Sequence, residues 1–207
     1  MACSTGIDKK KHKAAGLVLA SASPRRLELL ARIGVIPARV VAAAVDEVPL
    51  PGEDPPRLVC RLADAKAGRV AAEFPDHFVL GADTVVARGR RILAKADNET
   101  EAERMLALLS GRRHRVVSGV ALIAPGGKAV RRVVVTTVTF KRLNRDEISA
   151  YIAAGEWRDK AGAYAIQGRA AAFVKRLNGS YSNVVGLPLF EVSQMLNGLG
   201  FAGVMEC

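Results

Sequence analysis

The sequence predicts an α/β fold. Short apolar runs suited to buried strands alternate with amphipathic helical patterns. Two long β-rich runs flank Pro125-Gly126-Gly127, as in a hairpin. The 207 residues are 50% hydrophobic, enough to bury a sizeable core, and no linker or repeat divides them.

Leu17-Val18-Leu19-Ala20 opens the pattern as a strand. A helix follows from Pro24, with Ser23 as N-cap, an apolar face of Leu27, Leu29, Leu30 and Ile33, and Gly34 as its stop. The run Ala38 to Pro49 reads as a strand ending in Asp46 and Glu47, and PGEDPP is a turn. Pro56 to Phe74 reads as an amphipathic helix with Cys60 in its apolar pattern. His77 to Ala96 reads as one strand or two, interrupted at Gly81 and at the Arg88-Gly89-Arg90 turn. A helix over 98–111 has acidic residues in its first turn, where the helix dipole favours them. After the hairpin, Asn144 and Glu147 have capping-box spacing. Ala171 to Gly179 reads as a strand, and a last helix starts at Pro188.

The net charge of +11 points to an anionic partner. Aromatic residues make up only 5% of the chain, and no basic stretch is interleaved with stacking aromatics, so no stable nucleic-acid complex is expected. No apolar run approaches the ~20 residues of a membrane span. Cys3, Cys60 and Cys207 are odd in number and widely spaced, without zinc or redox spacing. The expectation is a cytoplasmic protein with a basic, disordered tail over residues 1–15 and one catalytic domain over 16–207.

Four groups of residues carry candidate chemistry. Arg25 and Arg26 lie in the first turn of a helix, beside its positive end, where cations are disfavoured by roughly 0.3–1 kcal/mol each. A bound anion would reverse that penalty. With Ser21, Ser23 and the free N–H groups of the helix start, they suit phosphate oxygens. Pairing with carboxylates, or a solvated face, would explain them as well. Asp83 stands in the apolar run FVLGADTVV, where an ionised carboxylate is costly without a partner; Thr84 beside it offers a hydroxyl. A turn aspartate capping nearby backbone is the alternative. Asp46 and Glu47 offer hard oxygens for Mg²⁺ or Mn²⁺, or belong to an ordinary solvated loop. Lys95 lies between strand and helix, within reach of a phosphate or simply exposed. Lys160 and Gln167 bracket a segment of small residues, and an amide that both donates and accepts suits a base edge. GSYSNVVGLP lets backbone approach a ligand closely, or is an irregular structural loop.

Together these motifs resemble the Maf family of nucleotide pyrophosphatases. The family pattern S-x-S-P-R-R-x-x-L-L stands here as SASPRRLELL, GADTVV spans Gly81 to Val86, and DKAGAYAIQG and GSYSNVVGLPLFEV match the C-terminal signature. The matches keep the family's order from Leu17 to Leu196. The resemblance implies a mixed, strongly curved sheet with helices around it and two lobes flanking a cleft, similar to inosine triphosphate pyrophosphatases. It implies hydrolysis of a nucleoside triphosphate to the monophosphate and pyrophosphate, with a divalent cation, Mg²⁺ or Mn²⁺, held by Glu47 and Asp83. The Y-x-I-Q-G and G-S-Y-S-N segments are similar to the branch acting on dTTP and UTP. By motif, Asp83 is the catalytic base, and Arg25, Thr84 and Gln167 bear on substrate choice. Ser23, Arg26, Glu47, Lys95 and Lys160 line the cleft. The family often pairs as dimers, so the resemblance allows a homodimer. Two other readings stay open: a broad house-cleaning pyrophosphatase for non-canonical nucleotides, and a nucleic-acid-binding, septum-related regulator.

Overall fold

The computed structural model describes residues 15–203, so the expected basic tail lies outside the described residues except for Ala15. The chain forms β1 (Leu17–Ala20), α1 (Pro24–Arg32), β2 (Arg39–Val40), α2 (Pro55–Ala71), β3 (Phe78–Arg88), β4 (Arg91–Leu93) and α3 (Glu99–Leu109). It continues through β5 (Arg113–Ile123), β6 (Ala129–Phe140), α4 (Arg145–Ala153), β7 (Val174–Asn178), α5 (Tyr181–Val185) and α6 (Leu189–Gly198). The α/β class follows, and the sheet is mixed. Its order is β2-β1-β3-β5-β6-β7, with β4 also paired to β3. β1 is parallel to β2 and β3, and the other pairings are antiparallel.

The centre of the sheet is β3, and its two edges differ. β5 follows one edge from Val79 to Ala87 without a break. The other edge is shared: β1 pairs with Phe78 to Gly81, and β4 pairs with Val86 to Arg88. Ala82 to Val85 lie between, with no strand beside them on that edge. β1 ends there, and its chain turns into the N-terminus of α1.

Gly81 does not interrupt β3. It admits α2: a Cβ there would lie 2.4 Å from the Ala63 carbonyl oxygen. Gly119 on β5 serves the same helix, since its Cβ would lie 2.1 Å from the Val59 oxygen. Gly81, which read as a break, forms with Gly119 the groove in which the helix lies.

Two large hydrophobic clusters sit toward opposite ends of β3 and β5. One joins Leu17, Leu29, Leu30, Leu80, Leu122 and Leu196, from β1, α1, α6 and the adjoining halves of the long strands. The other joins Val86, Leu106, Leu109, Phe140, Tyr151 and Trp157 around α3, α4 and the hairpin. The interrupted edge of β3 falls between them.

Some expected elements shift. The strand expected from Ala38 to Pro49 is only β2, because the chain leaves the sheet after the Val41 N–H bonds to the Leu19 carbonyl. The strand expected over 171–179 begins as a 3₁₀ turn, Arg169–Phe173, before β7. Ser180 to Val185 is not irregular: the Ser180 hydroxyl caps α5 by accepting the Asn183 N–H at 3.2 Å. The Asn144–Glu147 capping box forms as expected.

Candidate active site

The edge of β3 left open between β1 and β4 lines a cleft of about 370 Å³ that contains Ser23, Arg25, Arg26, Glu47, Asp83, Thr84, Lys95, Lys160 and Gln167. The nine residues that the family resemblance singled out thus meet in one place, whereas Asp46 does not line the cleft. A second hollow of about 440 Å³ shares Ser23, Arg25, Arg26, Glu47, Lys95 and Lys160 with it and adds Arg158 and the N–H-rich turn before α1. The first has apolar walls such as Leu62, Val85 and Ile92; the second is lined largely by polar and charged groups.

Asp83 is buried, 7% exposed, in the middle of β3 rather than at a strand end or a turn. Its partner is a lysine that the sequence pattern did not single out. Lys66 Nζ lies 2.7 Å from Asp83 Oδ1 and 2.6 Å from Glu47 Oε1. The signal was present: Lys66 follows Val59, Leu62 and Ala63 on the buried side of α2, where a charge needs a partner. Burial would raise the Glu47 carboxyl, but its hydrogen bond to Lys66 and the charges of Lys66, Lys95 and Arg26 hold it below the ordinary value.

Glu47 sits on an irregular segment that is tied to α2 a second time. Arg61 grips Glu53 with two bonds of 2.8 Å and donates to the Val48 carbonyl at 3.1 Å. Glu53 in turn accepts the Leu50 N–H. Hydrogen bonding to Arg61 pulls the Glu53 carboxyl down to about 2. The segment, for which an ordinary solvated loop was the alternative reading, is therefore tied to α2 at Glu47 and again just after it.

The two arginines of the opening motif have different surroundings. Arg26 is buried and donates from Nε to the Gly186 carbonyl at 3.0 Å, from one terminal nitrogen to Ser21 Oγ at 2.9 Å and from the other to Thr84 Oγ1 at 3.4 Å. Thr84 Oγ1 also lies 2.8 Å from Ser118 Oγ. Burial lowers the Arg26 pKa and the charge of Arg25 adds to this, against the pull of Asp83 and Glu47. Arg25 is more open and donates to the Asp159 carbonyl at 3.2 Å. Arg26 is thus a fixed cation that ties α1, β3 and the turn after α5 together, while Arg25 lines the cleft.

Ser23 occupies the N-cap of α1 without a capping side-chain bond; its N–H instead meets Ser21 Oγ at 3.2 Å. Lys95 is exposed at the rim, and its backbone pairs with Ala161 in an isolated bridge. Lys160 donates to the Arg158 carbonyl at 3.0 Å, and burial together with Arg25 lowers its pKa against Asp159 and Glu156. Gln167 is exposed at the opposite end of that segment. Asn183, within the GSYSNVVGLP segment, is fully buried and ties α5 to the Val116 carbonyl and Thr136. The group that α5 brings to the site is the Gly186 carbonyl.

Among the described residues no three His, Cys, Asp or Glu side chains cluster as a metal cage. The donor set nevertheless fits a hard divalent cation. Mg²⁺ is usually held by one or two carboxylates, its remaining positions going to waters and substrate phosphates. Glu47 and Asp83 already converge on one cation, the Lys66 ammonium.

A profile of the family described as Maf-like protein matches residues 16–199. The chain belongs to that family. It is 61% identical over 186 residues to a dTTP/UTP pyrophosphatase of Paramagnetospirillum magneticum, covering 90% of this chain and 98% of that one. It is 58% identical to a dTTP/UTP pyrophosphatase of Caulobacter vibrioides, covering 89% and 96% of the two chains. Among solved structures, the Staphylococcus aureus Ham1 protein aligns at 14% identity over 88% of this chain and 98% of that one, with a TM-score of 0.48.

Proposed function

We propose that this protein is a nucleoside triphosphate pyrophosphatase that hydrolyses dTTP and UTP to the monophosphate and pyrophosphate. One observation carries the reading: a buried carboxylate, Asp83, shares its cleft with a cluster of cations, Arg25, Arg26, Lys66, Lys95 and Lys160. Its family and its similarity to the two relatives support the same reaction.

The division of the cleft suggests how a nucleotide lies. The cationic hollow takes the phosphates, and the apolar walls take the nucleoside. Arg25, Lys95 and Lys160 bind phosphate oxygens, and Ser23 with the N–H groups of the α1 turn completes that cradle. Arg26 stays in place and supplies fixed charge, which costs no reorganisation during the reaction. Asp83 Oδ1 faces the cation seat that Lys66 fills, so Oδ2 remains to accept from a water. Asp83 orients that water and takes its proton as oxygen attacks the α-phosphorus. The bond from the α-phosphorus to its bridging oxygen breaks, and pyrophosphate leaves. Gln167 reads the pyrimidine edge, and Thr84 and Arg25 bear on substrate choice. Glu47 and Asp83 would hold a Mg²⁺ or Mn²⁺ ion, which when bound neutralises phosphate charge and polarises the P–O bond.

The test is a panel of canonical and modified nucleoside triphosphates, assayed for pyrophosphate release. The reading predicts highest kcat/KM for dTTP and UTP. A flat profile, or preference for modified bases, would favour the broad house-cleaning reading, and no release from any member would refute both.

A further inference from the structure

The seat between Glu47 and Asp83 is filled by the chain's own cation. Lys66 rises from the buried side of α2, and its side chain is 9% exposed. Its Nζ bridges Glu47 Oε1 at 2.6 Å and Asp83 Oδ1 at 2.7 Å. A divalent ion bound by the same two carboxylates would need the volume that this ammonium occupies. The two seats cannot be filled together without movement.

The surroundings show what can move. Asp83 lies in the central strand with both neighbouring positions in register with β5. Glu47 is 55% exposed but its loop is pinned by Arg61. Lysine has the longest flexible stem of the three, and its charge can swing where the carboxylates cannot. One ammonium facing two carboxylates also leaves an excess of negative charge, which a divalent ion would remove. A swung-out Lys66 would face Arg25, Arg26 and Lys95, an unfavourable setting until a polyanion arrives.

We propose that Lys66 is an internal stand-in for the divalent cation. It holds the two carboxylates together in the metal-free protein and competes with metal for them. When metal takes the seat, its ammonium turns to the phosphate oxygens. The consequence is coupling: metal binds weakly alone because it must displace Lys66, and more tightly with nucleotide because the displaced ammonium then has a partner. Reciprocity requires metal to tighten nucleotide binding by the same factor. The inference rests on the triphosphate reading above but is tested apart from turnover.

The experiment is Mn²⁺ titration followed by the electron paramagnetic resonance of the free ion, without nucleotide. The wild type is compared with Lys66→Met and with Lys66→Gln, which keeps an amide donor for the carboxylates. Removing the competing charge should tighten Mn²⁺ binding by about tenfold or more, equivalent to ~1.4 kcal/mol. Adding a non-hydrolysable thymidine triphosphate analogue should tighten Mn²⁺ binding to the wild type and tighten it much less in the variants. If Lys66→Met folds poorly, Mn²⁺ should raise its melting temperature more than that of the wild type. Unchanged or weaker Mn²⁺ binding in both variants would overturn the competition. Glu47→Gln separates the two claims: if it leaves wild-type Mn²⁺ affinity unaltered, the carboxylate seat itself fails, whereas dTTP turnover with unchanged affinity in the lysine variants sinks only the stand-in.

Discussion

Asp83 and Thr84 are neighbours in β3 and point to opposite faces of the sheet, yet both line the same cleft. Strand geometry requires the alternation. They share a cleft because neither β1 nor β4 covers that edge of β3 between Gly81 and Val86. Asp83 meets Lys66 from α2 on one side, and Thr84 meets Arg26 and Ser118 on the other. The proposed base on one face and the contact with Arg26 on the other are thus joined through one peptide bond.

Asp83→Asn tests the base. The amide nearly matches the carboxylate in size, so the strand and its packing remain. Turnover of dTTP should fall by roughly 10²–10⁴-fold, the usual worth of general-base assistance. Circular dichroism should be unchanged. Near-native turnover would exclude Asp83 as the base.

The arginines should separate. Arg25→Ala removes one bond to a backbone carbonyl and leaves the core intact, so the melting temperature should barely move while KM for dTTP rises. Arg26→Ala removes three hydrogen bonds of a buried side chain, to the Gly186 carbonyl, Ser21 and Thr84, and should destabilise by about 3 kcal/mol. Urea titration beside steady-state kinetics reads both. Equal stability losses would contradict the division of labour.

Arg61 lies away from the reacting groups but fixes the loop that carries Glu47. Arg61→Met retains a long stem and loses the clamp on Glu53 and Val48. The expected result is a lower kcat and a higher Mg²⁺ concentration for half-maximal rate, with an unaltered pH profile. Unchanged Mg²⁺ dependence would show that the loop holds Glu47 without its clamp.

His114 gives a pH dependence of stability. It is buried, bonds through Nε2 to the Tyr164 hydroxyl, and burial pushes its pKa down to about 4. The unfolded chain protonates near the ordinary value of about 6.5 while the folded chain stays neutral, so stability is complete above that pH and is lost as pH falls toward 4. The loss across that window is about 3 kcal/mol. His114→Asn should flatten the slope of unfolding free energy between pH 6.5 and pH 4. A slope unchanged in the variant would assign the dependence to other groups.

Much of this site was legible because its residues break local rules. Arg25 and Arg26 at the wrong end of a helix, and Asp83 in an apolar run, each carry a cost that a partner must offset, so each could be found from sequence. Lys66 breaks the same rule on α2, but long lysine stems often snorkel from helix faces, which hid it. Arg61 and the Gly186 carbonyl act through contacts distant in sequence, and no local pattern marks them. Gly81 misled for a related reason: a glycine in a strand signals either a break or a close approach, and only the position of α2 separates the two. The segment after β2 looked like strand from its valines and alanines, yet it finds no ladder partner beyond Val41.

Hydrolysis of dTTP in ¹⁸O-labelled water tests the central claim most directly. Attack at the α-phosphorus by a water held at Asp83 places the label in the thymidine monophosphate and leaves the pyrophosphate unlabelled. Mass spectrometry of the two products reads the outcome. Label in the pyrophosphate, or release of inorganic phosphate in its place, would contradict the account.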